Sequence, residues 1–227
     1  ELNGMFLSPF GMVYIGIFLL ISGIVFSTYN LLGMRGDMNG MFGVFSNISI
    51  MTFPILTMKQ FAEERKNGTE QLLLTSRLRP WEIVLGKFLA SLSLFGISLL
   101  ATTFYVVILW RYGVPNLGAI AGSYFGFFML GMAFTAISLF ASSISDNQIT
   151  AAISSFGLLF LTVILGSLSK AIQAPILQSF LSWFAVTVRY EEFTRGIFRL
   201  GPIVYYFCFS VVFLFFTVKR LEKRQLD

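Results

Sequence analysis

Seven stretches of this chain run without a single charged side chain: Leu2–Met34, Met38–Met58, Phe88–Trp110, Tyr112–Ser145, Asn147–Ser169, Ala171–Val188 and Leu200–Val218. A helix rises 1.5 Å per residue, so about 20 apolar residues cross the hydrocarbon layer of a bilayer. Most of the seven are that long. Period-2 alternation is absent, and lipid admits only helices and closed barrels, so the runs imply a helical bundle. Only 12% of the residues are charged, against about 25% in soluble domains. The fold class is an all-α polytopic membrane protein.

Six of the runs read as spanning helices, over about 10–31, 41–59, 87–110, 119–143, 149–168 and 201–219. The seventh, Ala171–Val188, carries Gln173, Pro175, Gln178, Ser179 and Ser182. A proline and several polar side chains make a poor lipid-facing span, so an interfacial or re-entrant segment is expected there. Six spans put both termini on one side. That side would carry Lys59, Arg65, Lys66, Arg77, Arg79, Lys87, Lys219, Arg220, Lys223 and Arg224, and the other side only Arg35, Arg111, Lys170, Arg189, Arg195 and Arg199. The richer side is cytoplasmic by the positive-inside rule. The expected location is therefore the cell's plasma (inner) membrane, multi-pass, with both termini cytoplasmic. The net charge of +5 is a topology signal rather than a footprint for nucleic acid.

Charge then concentrates in one place. "EERKNGTEQLLLTSRLRPWEIVLGK", residues 63–87, holds Glu63, Glu64, Arg65, Lys66, Glu70, Arg77, Arg79, Glu82 and Lys87, a third of the charges in the chain. Gly68 suits the left-handed end of a helix extending inward from span two. Thr69 suits the cap of a new helix with Glu70 in its first turn, followed by Leu72, Leu73 and Leu74. Pro80 suits the start of a further helix, and Trp81 and Lys87 the membrane interface. By spacing alone, a solvated loop obeying the charge rule accounts for these residues as well as a docking helix does.

Resemblance favours the docking helix. "EERKNGTEQLLLTSRLRPWEIVLGKFLA" (Glu63–Ala90) resembles the signature cytoplasmic loop of type-2 ABC exporter permeases: an acidic-basic cluster, Gly-Thr, Glu, a leucine run, and Trp-Glu-Ile leading to Gly-Lys. Three further patches in the same order are similar to that family: "ELNGMFLSPFGMVYIGIFLLISGIVF" at the start, "SSISDNQITAA" (Ser142–Ala152) between spans four and five, and "YEEFTRGIFRLGPIVYYFCF" (Tyr190–Phe209) leading into span six. The likeness is greatest to the gliding-motility and nitrous-oxide-reductase-maturation permeases (GldF/NosY-like). Pro202 departs from the acidic or polar residue expected near that position.

The resemblance implies one transmembrane permease domain over 1–227. It implies a cytoplasmic coupling loop over 60–86 and an external segment over 169–200. Gly68, Thr69, Glu70, Leu72 and Leu73 would form a coupling helix docking on a separate ATP-binding subunit, with Glu63, Glu64, Arg65 and Lys66 at its rim. It also implies a second permease, identical or related, and ATP and Mg bound by the partner subunit, with no cofactor on this chain. An accessory extracytoplasmic protein is a further expected partner, and Arg189, Glu191, Glu192 and Arg195 are expected to gate the outer end. The alternative class is a passive channel or structural membrane protein with no ATPase.

An enzyme is disfavoured. "LGK" at Leu85–Lys87 lacks the rest of a P-loop. Glu191–Glu192 with Arg195 resembles the acidic motif of intramembrane proteases, but its spacing is one residue short and that chemistry needs histidine, of which the chain has none. Gly122 and Gly126 form a GxxxG pair, read as ordinary helix packing. The single cysteine, Cys208, reads as packing too.

Overall fold

Residues 9–69, 78–112, 116–172, 174–194 and 199–226 are described by a computed structural model. Six of its helices are long and apolar enough to cross a membrane: Pro9–Leu31, Asn39–Lys66, Pro80–Arg111, Leu117–Ile144, Gln148–Ala171 and Leu200–Gln225, here spans one to six. Their boundaries differ from the sequence expectation mainly around the charged loop. With Pro9–Phe26 as α1 and Asn39–Thr57 as α2, span two continues past α2 through a turn at 58–61 into a short helix, α3 (Ala62–Lys66), and span three already begins at Pro80. Residues 62–66 and 80–86 of the expected 60–86 loop are thus helical. Span three also breaks between Ala101 and Phe104, where the hydroxyls of Thr102 and Thr103 donate to Leu99 O and Leu100 O, each at 2.6 Å. Short polar side chains bonding back to the backbone bend helices in this way.

Span four is the hub. Its most apolar window is 78% buried, against 28% for span five, so neighbours rather than lipid surround it. Phenylalanines fill the centre. Phe95 of span three lies 5.9 Å from Phe18, 4.9 Å from Phe53 and 5.7 Å from Phe127, ring centre to ring centre. Lipid tails are as apolar as phenylalanine, so close packing must hold the spans together. Gly131 shows how close: a Cβ there would fall 2.6 Å from Cζ of Phe95. Many membrane-depth hydroxyls bond back within their own helices, as in Ser49 to Phe45 O at 2.7 Å and Ser98 to Leu94 O at 2.8 Å, and others bond across, as in Ser155 to Ser138 O at 3.2 Å.

Antiparallel order gathers Lys59, Arg65, Lys66, Arg79, Lys87 and the Lys219–Arg224 tail at one end, here the basic end. At the opposite end, the chain after span five forms a helix, Pro175–Phe184, whose Ile176, Phe180 and Trp183 are exposed. It then folds back into the bundle. Ala185, Val186, Tyr190 and Phe193 are buried, and Phe193 seats against Gly126 of span four, where an added Cβ would fall 2.7 Å from its Cγ. Half of the GxxxG pair is therefore a seat for this segment. Tyr205 and Tyr206 of span six donate to Trp183 O at 2.6 Å and Val186 O at 2.7 Å, satisfying carbonyls that the irregular backbone leaves open.

Candidate functional site

At the basic end, helix α3 stops as its sequence directs. Gly68 takes a φ of +70°, Gly68 N donates to Arg65 O at 3.1 Å, and Thr69 N donates to Glu64 O at 2.9 Å. This is a Schellman end, in which a left-handed glycine lets two backbone amides close on the last turn. Thr69 also turns its hydroxyl back to Glu64 O at 3.1 Å. Span three begins with Pro80 in its first turn, and Glu82 accepts from Arg79 N at 2.8 Å. Glu70, Leu72 and Leu73 lie outside the described residues.

The side chains of α3 reach three other elements. Lys87, expected at the membrane interface, is only 2% exposed and sits 2.5 Å from Glu64, with its ammonium 5.2 Å above the Phe61 ring. Gln60 donates to Ser91 Oγ at 2.9 Å. Arg65 donates to Ser143 O at 2.8 Å and to Ser145 O, and lies 3.4 Å from Asp146. Its guanidinium therefore caps the end of span four, where helix carbonyls lack partners and the dipole is negative. Phe61 N donates to Ser142 Oγ at 3.3 Å. Glu63 pairs with Lys59 at 3.6 Å, and Lys66 is exposed. Of the four residues expected at a docking rim, Glu63, Glu64 and Arg65 thus engage partners within the chain. What the sequence reading missed is that Lys87, Ser91, Ser142, Ser143 and Asp146 meet this helix. No spacing rule links positions from 23 to 81 residues apart.

Two cavities open at the other end. One, of about 270 Å³, lies between spans two and five and the folded-back segment, with Asn39, Ser46, Asn47, Ser167, Lys170 and Thr187 among its walls. Asn47 points outward from the bundle, its amide donating to Gly43 O at 3.0 Å. The second, of about 430 Å³, is lined by Arg189, Glu192, Arg199 and Pro202 among others. Arg189 lies 3.9 Å over the Tyr205 ring, and Arg199 is 3.8 Å from Glu192. Two of the expected gate residues, Arg189 and Glu192, therefore share a cavity that also takes in Arg199. Glu191 falls in the helix Tyr190–Thr194, and Arg195 lies outside the described residues. Burial pushes the Tyr190 hydroxyl well above its ordinary pKa, and that hydroxyl donates to Ser123 O at 3.4 Å.

Five apolar spans around a buried sixth, with polar clefts at one end and a braced, charged helix at the other, define a polytopic helical membrane protein rather than a soluble or β-barrel one. Residues 46–221, well over half of the chain, match the model of the ABC-2 family transporter proteins, and the chain belongs to that family. It is a multi-pass membrane protein of the transporter-permease kind. Among its relatives is the probable multidrug ABC transporter permease YbhR of Escherichia coli K12, 28% identical over 145 residues. The same protein from Escherichia coli O157:H7 matches equally. The match covers 63% of this chain but 39% of the relative, so the chain spans about two fifths of the relative's length.

Proposed function

We propose that the chain is the membrane subunit of an ATP-driven exporter, moved by a separate ATP-binding subunit that docks on the segment 67–79. The observation that carries this reading is the brace behind that segment. A solvated connector needs no buried ion pair, whereas α3 is tied to spans three and four by Lys87 and Arg65. Gly68, Thr69, Glu70, Leu72 and Leu73 act as the coupling helix, with Glu63 and Lys66 at its rim and the basic end in the cytoplasm. A second permease, identical or related, completes the path. The outward Asn47 and the polar cleft between spans two and five support this, because lipid is a poor neighbour for an amide. The cavity of Arg189, Glu192 and Arg199 acts as the outer gate, and the folded-back segment as a re-entrant plug where an accessory extracytoplasmic protein docks. The four sequence patches support a gliding-motility-type assembly, and the multidrug description of the relative makes amphiphilic drugs the first cargo to try.

The test is purification in mild detergent with identification of the co-purifying chains. An ATP-binding subunit should accompany the wild-type chain in fixed proportion and be lost from Leu73→Glu, since a charge in a desolvated docking groove costs several kcal/mol. An equal yield of that subunit with the variant would remove Leu73 from the interface. A wild-type preparation free of any ATPase would leave a passive channel.

A further inference from the structure

Resting on that reading, we propose that Glu64–Lys87 and the Arg65 clamp on residues 143–146 are two separate transmission ties, which carry movement of the coupling turn into span three and into the span four–five hairpin. Helix α3 has five residues, too few to hold a helix by itself. Its position is set by what it grips. Its far end is closed by the Schellman bonds of Gly68 and Thr69, so a pull on the chain beyond Thr69 moves α3 as a block.

What moves with it follows from the two grips. Glu64 draws on Lys87, which is buried in span three and aided by Gln60 on Ser91 one turn further along. Arg65 draws on carbonyls at the end of span four and on Asp146 in the turn to span five. The turn Ser145–Asn147 links spans four and five, which also bond to each other through Ser155 and Ser138 O, so one side chain holds the ends of both. Span five forms a wall of the polar cleft at the opposite end, and a rigid helix pulled at one end changes that wall at the other. The two grips differ in chemistry. A carboxylate–ammonium pair survives exchange of its partners, whereas carbonyls need a donor fork and accept no exchange.

The test uses the complete complex with its ATPase in lipid nanodiscs. A single cysteine at the opposite end (Cys208→Ser, Leu200→Cys) carries an environment-sensitive fluorophore, and ATP hydrolysis and thermal midpoint are measured alongside. Glu64→Gln with Lys87→Met removes the first tie without leaving a buried charge. Arg65→Gln removes the second. Each should lose at least fivefold of the ATP-induced fluorescence change per ATP hydrolysed. The exchanged pair Glu64→Lys with Lys87→Glu should recover most of that change, and Arg65→Lys little of it. An unchanged response per assembled complex, or a response that falls only in step with thermal midpoint, would overturn the proposal. If a removal variant does not assemble, the exchanged pair and Arg65→Lys are read by the same criterion: equal recovery in both, or in neither, overturns it. A parent complex with no ATP-binding subunit is a separate outcome and defeats the underlying reading instead.

Discussion

Gly126→Ala tests whether the segment after span five really seats on span four. The new Cβ would fall 2.7 Å from Cγ of Phe193, about 1 Å inside ordinary carbon contact. Phe193 is fully buried, with Phe125 and Tyr206 around it at 6.0 and 6.4 Å between ring centres, so its ring has no free direction in which to retreat. Overpacking of this kind costs about 1–3 kcal/mol. For a chain of this length each kcal/mol lowers the thermal midpoint by roughly 2–4 °C. Phe193→Gly removes the obstacle, because the Cβ of Phe193 itself lies against the added atom. Gly126→Ala made in that background should then cost under about 0.5 kcal/mol, leaving a coupling energy of about 1–3 kcal/mol. Tryptophan fluorescence during thermal unfolding in detergent measures all four corners of the cycle. Additive midpoints, or a Gly126→Ala midpoint equal to wild type, would refute the seating.

Three shorter predictions follow. Gly68→Ala forces a side chain into left-handed backbone and should cost about 1–2 kcal/mol locally, read as weaker binding of the ATPase with little change in midpoint. Glu192→Gln removes the charge facing Arg199 and, with Arg195→Gln, should alter export if the cavity gates the path; unchanged export in both ends that assignment. Tyr190 has a folded-state pKa raised by burial, so the stability it lends is present below its ordinary value near 10 and is lost as pH climbs above that value. Tyr190→Phe should flatten the alkaline fall in thermal midpoint between pH 9 and about 11.

The sequence was most informative where a local rule decides the structure. Charge-free length marked the six spans, Gly68 marked the end of α3, and Pro80 marked the next helix start, because each depends only on residues within a turn or two. It was silent where distant residues meet. Lys87 reads as an interfacial lysine until Glu64 swings beneath it, and Arg65 reads as a rim charge until span four ends beside it. Thr102–Thr103 breaks span three through hydroxyl bonds that apolar counting ignores. Gly126 and Gly122 look alike in a GxxxG pair, yet only the fold reveals a phenylalanine over Gly126. The leucines Leu72, Leu73 and Leu74 were legible as a pattern needing a surface, and the proposal above assigns that surface to an ATP-binding subunit.

The most direct measurement places a photo-activated cross-linker at Leu73 in cells and identifies what it captures, with Leu117 at the opposite end as the control position. We expect a single adduct from Leu73, formed with a polypeptide carrying a complete P-loop, and no such adduct from Leu117. Capture of the ATP-binding subunit from Leu117, or of no ATP-binding polypeptide from Leu73, would contradict the assignment of the charged turn as the site where ATP hydrolysis meets the membrane.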